Sequence, residues 1–369
     1  MDRMKDMNDM NKIEVLRKVL NDLNLDGLLI TDHHSLIYYT GFGGEGFAVV
    51  TANKNIILTD SRYTEAAQKA SDFEVREFNA KKSASEHFVE IVKGENVRKL
   101  GFEDQGISYA DYMKFEKWCS NEFMDEPIVL LSMGNALYEP RQIKSDEEVE
   151  LLRQAEHIGD LAFEDVLKVL RPGMTELEVA AELEYSMKRH GAEGFSFETI
   201  AASGVNSSMP HAVPTEKKLE NGDFLTMDFG CIYKGYCSDM TRTVCIGKAS
   251  DEQKKVYNIV LSAQLAVLDS VRAGLMCKNV DKIARDYIAN QGYGDYFGHG
   301  LGHSVGLYIH ERPAFNTKDT TILAPNMILT DEPGIYLPGK FGVRIEDMIL
   351  ITADGCEPLA HSPKELIEL

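Results

Sequence analysis

The sequence predicts an α/β (α+β) chain built from two unequal domains, and three observations predict it. The length, 369 residues, exceeds one ordinary domain. Strand-like and helix-like runs alternate through the first 140 residues, and the remainder contains an internal repeat. The hydrophobic share, 44%, supplies a core that needs no disulfides to hold it.

The elements follow in chain order. Residues 1–12 read as a charged, Met-rich tail. Residues 13–24 (IEVLRKVLNDLN) place apolar side chains at helical spacing, and GLLI at 27–30 reads as a strand. Residues 47–60 (FAVVTANKNIILTD) predict two strands joined at a polar Asn-Lys-Asn turn. Helices are expected over 61–70 and 83–93, and a strand at 99–104. That alternation predicts a small α/β domain. The boundary is expected within EPRQIKS, 139–145, where Pro140 breaks the chain. Ser145, with Glu148 three residues on, then forms a capping box for a helix running to Arg171-Pro172-Gly173. The expected domains are therefore 1–140 and 141–369.

Within the second domain, VLKVLRPGMTELEVAAELEYSMKRHG matches VLDSVRAGLMCKNVDKIARDYIANQG. Arg171 aligns with Arg272, Gly173 with Gly274 and Gly191 with Gly292, all at an offset of 101. LTMDFG (225–230) matches LTDEPG (329–334) at 104, and Gly235 and Asp239 match Gly342 and Glu346 at 107. Each half reads as helix, helix, strand, strand. Two copies make a duplicated domain, not a solenoid.

Charge and composition exclude several classes. Lys plus Arg is 39 and Asp plus Glu is 59, giving a net charge of −20. A nucleic acid or an anionic membrane surface would need a basic face. No apolar run reaches the roughly 18–20 residues of a membrane span, and MDRMKDMNDMNK lacks the apolar region of a secretory signal. Six scattered cysteines without a C-x-x-C pair read as reduced thiols, which predicts a cytoplasmic location. The G-x-G-x-x-G match at Gly41–Gly46 is followed by FAVV, not by a helix, so no nucleotide site is expected.

The repeat pairs Asp228 with Glu332 and Asp239 with Glu346, all in or beside apolar, strand-like runs. Buried carboxylates are costly unless compensated. Four at repeat-related positions point to divalent cations. FGHGLGHSVGLYIHERP supplies His299, His303 and His310, threaded by glycines that argue against a helix. His310-Glu311 is not an H-E-x-x-H zinc motif, because Ala314 stands where the second histidine belongs. An oxygen-rich set with one imidazole favours Mn²⁺, with Co²⁺, Fe²⁺ or Zn²⁺ as alternatives. Two such ions sharing a water are hydrolytic machinery. His211, between Pro210 and Pro214, lies on a rigid loop just before the Asp228 strand.

SGVNSSMPHAVPT, MDFGCIYKGYCSDMTRT, HGLGHSVGLYIHE, LTDEPGIY and GVRIEDM resemble the motifs of the Xaa-Pro aminopeptidase and prolidase family. LLITDHHSLIYYTGF and LTDSRYTEAA are similar to its creatinase-like N-terminal domain. The resemblance implies a C-terminal pita-bread catalytic domain, as in creatinase and methionine aminopeptidase, behind that smaller α/β domain. It implies five metal ligands, Asp228, Asp239, His303, Glu332 and Glu346, holding two divalent ions, with Asp239 and Glu346 bridging. It implies that His211 and His310 lie near the scissile carbonyl, that His299 lines the proline side, and that Arg344 supports the acids. Glu332 is then the proton shuttle, and a metal-bridging hydroxide the nucleophile. The expected activity is Xaa-Pro aminopeptidase on a proline-containing peptide. The alternative is Xaa-Pro dipeptidase (prolidase), disfavoured because Ala314 stands where some dipeptidases carry an arginine. A non-catalytic binding module is the remote alternative, set aside because all five ligands are present. The resemblance also implies a homodimer, in which residues near 33–42 or 60–63 narrow the cleft.

Overall fold

The computed structural model describes residues 10–120 and 124–369; most of the expected N-terminal tail lies outside them. The described residues up to Arg141 form one compact unit, and Gln142–Leu369 forms another.

In the first unit, helix α1 (Lys12–Asp22) starts at a capping box between Asn11 and Glu14 and buries Val15, Leu16, Val19 and Leu20. Strand β1 (Gly27–Ile30) follows. Helix α2 (His33–Thr40), unread in the sequence, opens where Asp32 accepts the N–H of Ser35 and closes at Gly41, whose φ of 75° suits glycine. His33 and His34 therefore occupy a first helical turn. The expected hairpin is present: β2 (Phe47–Thr51) runs antiparallel to β3 (Asn55–Thr59). Helix α3 (Thr64–Ala70) starts three residues later than expected, because Asp60 captures the N–H of Arg62 and holds a turn there. Strand β4 (Glu74–Glu77), helix α4 (Ala84–Gly94), strand β5 (Lys99–Phe102), helix α5 (Tyr109–Cys119) and strand β6 (Val129–Ser132) complete the unit. The sheet order is β4-β3-β2-β1-β5-β6.

The second unit opens with helix α6 (Asp146–Leu167), capped by Ser145 and Glu148 as expected. It ends before Leu170, because the N–H of Lys168 turns back onto Asp165 and Val166. Helix α7 (Glu176–Arg189) leads to β7 (Gly194–Phe195), β8 (Ile200–Ser203), β9 (Phe224–Phe229), β10 (Cys231–Tyr233), β11 (Tyr236–Cys237) and β12 (Met240–Cys245). Helices α8 (Asp251–Leu268) and α9 (Cys277–Asn290) open the second half. They precede β13 (Gly302–Ser304), β14 (Glu311–Phe315), β15 (Ile328–Asp331), β16 (Gly334–Leu337), β17 (Phe341–Arg344), β18 (Asp347–Ile351) and β19 (Cys356–Pro358).

The repeat is visible in the strand register. One sheet has the order β12-β9-β8, the other β14-β13-β15-β18-β19. Leu225 faces Ser203 in the first, and its repeat mate Leu329 faces Ser304 in the second. Each half thus carries a ladder of three matched strands after its helices, where the sequence predicts two. The unread strands, β8 and β13, are short and sit next to glycine-rich or loop sequence.

Helices α6 and α7 pack their apolar faces on the first sheet, burying Ala155, Phe163, Leu183 and Met187 with Leu225 and Phe229. Each large apolar side chain contributes about 1.5–3 kcal/mol on burial, so β9 and β12 rest on a stiff floor. Glycine is required at Gly302, where a Cβ would lie 2.0 Å from the carbonyl oxygen of Thr330. That close approach seats β13 against β15 and sets the N–H of His303 on Thr330 Oγ1 at 3.0 Å. No helix among the described residues is long and apolar enough to cross a membrane.

Candidate metal centre

The two halves bring their acids together. Asp228 lies on β9, directly opposite Thr241 of β12. Thr241 is also bridged to Glu346, and its hydroxyl donates to the Glu346 carboxylate at 2.6 Å. Ligand atoms of Asp239, His303 and Glu346 lie within 4.8 Å of one another. His303 Nε2 is 3.4 Å from Asp239 and 3.6 Å from Glu332. Thr330 donates to Glu332 at 3.1 Å. All five ligands expected from the resemblance therefore belong to one constellation. It opens on a cavity of 520 Å³, also lined by His211, His299, His310 and Arg344.

The electrostatics call for cations. Burial, then the charges of Glu346 and Asp228, hold the Asp239 carboxyl well above its ordinary range. Burial, then Glu332 and Asp228, do the same to Glu346. Glu332 is pushed up to about 8 by burial and by Asp228, with Arg344 pulling the other way. Asp228 Oδ1 is buried without a hydrogen-bond partner. Anions crowded this way in a dry site need positive charge. Burial and the neighbouring His310 lower His303 to about 4, so it is neutral at neutral pH. Its Nδ1 lies 3.2 Å from the carbonyl oxygen of Ser304, which only accepts, so Nδ1 carries the proton and the Nε2 lone pair faces the acids. Hard carboxylates plus one neutral imidazole fit divalent ions.

A chain of hydrogen bonds runs away from the acids. Arg344 donates to Asp228 at 2.5 Å and to the Tyr336 hydroxyl at 2.9 Å. The hydroxyl proton is then directed to His299 Nε2, 2.9 Å away, while His299 Nδ1 donates to the Gly300 carbonyl at 2.7 Å. Burial, then Arg344, lowers His299 to about 4, consistent with a neutral acceptor ring. His211 and His310 are exposed to the cavity. Burial, then His211, lowers His310.

Several residues at the site carry no signal in the sequence. Tyr336 ends the motif LTDEPGIY but has no charge to draw attention. Glu156, 0% exposed on α6, accepts the N–H of Asp239 at 3.3 Å, a contact 83 residues apart in sequence. Thr241 and Thr330 orient Glu346 and Glu332. Only the tertiary fold brings such partners together.

Residues 150–353 match Metallopeptidase family M24, and residues 12–131 match the Creatinase/Prolidase N-terminal domain. The chain belongs to metallopeptidase family M24; its second unit has the pita-bread fold, preceded by a creatinase-like α/β domain. It is similar to the solved structure of an Xaa-Pro dipeptidase from Bacillus anthracis, with 43% identity and a TM-score of 0.91 over 97% of this chain and 99% of that one. An X-Pro aminopeptidase from Thermotoga maritima gives 36% and 0.88, over 95% and 100%. The Xaa-Pro dipeptidase of Pyrococcus furiosus is 37% identical over 96% of this chain and 99% of its own length.

Proposed function

We propose that this chain is a metal-dependent Xaa-Pro dipeptidase, a prolidase. The observation that carries hydrolysis is the meeting of Asp239, His303 and Glu346 within 4.8 Å at the floor of a peptide-sized cavity. The dipeptidase reading is supported by the likeness to the Bacillus anthracis and Pyrococcus furiosus dipeptidases. It replaces the aminopeptidase expected from the sequence, which leaned on Ala314. The aminopeptidase remains the second reading, favoured by one observation. Arg344 is the one Arg or Lys among the described residues lining the cavity, and Asp228, Thr241, Tyr336 and the Pro210 carbonyl already engage it.

Asp228, Asp239, His303, Glu332 and Glu346 would hold two divalent ions, of which Mn²⁺ best suits the donors. The ions supply charge that activates water and stabilises the developing oxyanion. Glu332, a carboxylate oriented by the Thr330 hydroxyl, is suited to take a proton from the attacking water and pass it to the leaving nitrogen. His211 and His310 donate hydrogen bonds to the scissile carbonyl oxygen as charge develops there. His299, locked by Tyr336 and Gly300, borders the proline ring. A proline nitrogen brings no N–H, so shape must replace the backbone hydrogen bond that other peptides offer.

The proposal includes catalysis by residues 141–369, with 1–140 as the creatinase-like domain, in a cytoplasmic homodimer. Free cysteines throughout the fold support the compartment. Analytical ultracentrifugation at micromolar concentration should give a dimer; a fully active monomer would contradict it. The activity is tested by adding Mn²⁺ to metal-stripped protein and comparing Xaa-Pro, Xaa-Pro-Yaa and Xaa-Ala-Yaa. Dominant cleavage of the dipeptide is expected. Dominant cleavage of the proline tripeptide would make the chain an aminopeptidase.

A further inference from the structure

Glu176 is the first residue of α7 and is 0% exposed. No Lys, Arg or His contacts its carboxylate among the described hydrogen bonds. It accepts instead from Ser203 N at 2.7 Å, Ser203 Oγ at 2.9 Å and Asn206 Nδ2 at 3.0 Å on Oε1. On Oε2 it accepts from Asn206 Nδ2 at 3.1 Å, Thr215 N at 3.0 Å and Thr215 Oγ1 at 2.6 Å. Ser203 and Thr215 are the two ends of the segment that carries His211. Its middle rests elsewhere: Ser207 Oγ accepts the N–H of Gly342 at 2.9 Å, and the Pro210 carbonyl accepts from Arg344 at 3.1 Å.

We propose that Glu176 is a positioning residue for His211, its two carboxylate oxygens fastening opposite ends of the 203–215 segment so that the imidazole stays at the cavity wall. This rests on the reading of His211 as a donor to the substrate carbonyl. The chemistry demands a carboxylate. Hydroxyls and the Asn206 amide can turn to donate or accept, but backbone N–H groups only donate. Ser203 N and Thr215 N bind different oxygens of Glu176. A glutamine offers one acceptor oxygen and one NH₂, so neither of its orientations satisfies both ends.

Glu176→Gln tests this. With Mn²⁺ loaded, kcat for an Xaa-Pro dipeptide should fall about 10- to 100-fold, the scale of a misplaced catalytic group. KM and metal content per chain should stay within twofold. In a His211→Ala background the same change should cost nothing further. The His211 ring signal in ¹H–¹³C NMR, assigned by its loss in His211→Ala, should shift in Glu176→Gln while that of His310 does not. An unchanged kcat, or the full loss repeated in the His211→Ala background, would overturn the proposal. If wild-type protein cleaves no Xaa-Pro substrate, the function fails, and an unmoved His211 signal separately refutes the positioning role. Should Glu176→Gln not fold, Thr215→Val removes a single bond to Oε2 and should give a smaller change of the same kind.

Discussion

The two halves of the second unit share a plan and divide the labour unequally. The first contributes Asp228, Asp239 and His211; the second contributes Glu332, Glu346, His303, His299, His310 and Arg344. Matched repeat positions, in or beside the strands, hold aspartate in the first half and glutamate in the second. The second half's carboxylates therefore reach about 1.5 Å further, one carbon–carbon bond. Where the second half has the candidate ligand His303, beside Ser304, the first has Ala202, beside the matched Ser203. Each half also ties its histidine loop to an acid on its second helix, by different chemistry. Glu176 takes neutral donors alone. Asp281 of α9 accepts the N–H of Leu301 at 3.1 Å and pairs with Arg285, which donates to the Phe297 and His299 carbonyls. Duplication preserved the scaffold, while the anchors sit at different helix positions, Glu176 opening α7 and Asp281 one turn into α9, and the candidate ligand set is asymmetric.

The largest predicted effect strikes what the halves share. Asp239→Asn removes charge at the meeting point of both ladders and should abolish metal retention and, with it, Xaa-Pro cleavage. Two ions per chain by plasma mass spectrometry would refute its place in the centre. His211→Ala should retain the metal and lower kcat about 10²- to 10³-fold, the usual worth of an oxyanion donor. Loss of metal instead would move His211 into the ligand set.

The anchors separate the halves more finely. Asp281→Asn frees the backbone around His299, yet Tyr336 and Gly300 still grip the ring. Its effect on kcat should be about 10-fold or less, below that of Glu176→Gln. A larger loss would mean that the ion pair outranks the hydrogen bonds made by the ring. The smallest effect is on stability. His299 is lowered from 6.5 to about 4, chiefly by burial, so the unfolded chain binds its proton more tightly. Its contribution is complete above pH 6.5 and is lost as pH falls toward 4. In the metal-free protein the raised carboxyls Asp239, Glu332 and Glu346 act in the opposite sense but are common to both chains, so the Tm of His299→Gln relative to wild type should rise as pH falls over that interval.

The clustered acids were legible because duplication repeats them: Asp228 with Glu332 and Asp239 with Glu346 stand out against apolar strands. The hairpin at Asn53 and the capping box at Ser145 were legible because local chemistry dictates them. Helix α2 escaped because its two histidines and adjacent aromatic residues obscured the period, although Asp32 and Gly41 punctuate it. Glu176, Glu156 and Asp281 were invisible for another reason. Their partners are backbone N–H groups or loop side chains that only the tertiary fold brings within reach. Ala314 led the substrate expectation toward the aminopeptidase, since one missing arginine says little about how a carboxylate is met elsewhere in the cavity.

If both halves build one metal centre that hydrolyses Xaa-Pro bonds, metal binding and cleavage must rise together. The direct measurement titrates Mn²⁺ into metal-stripped protein while following bound metal per chain and Xaa-Pro dipeptide cleavage together. Cleavage should be absent without metal and rise to its plateau as two ions bind. Full cleavage by the metal-free protein, or saturation with metal and no cleavage, would contradict it.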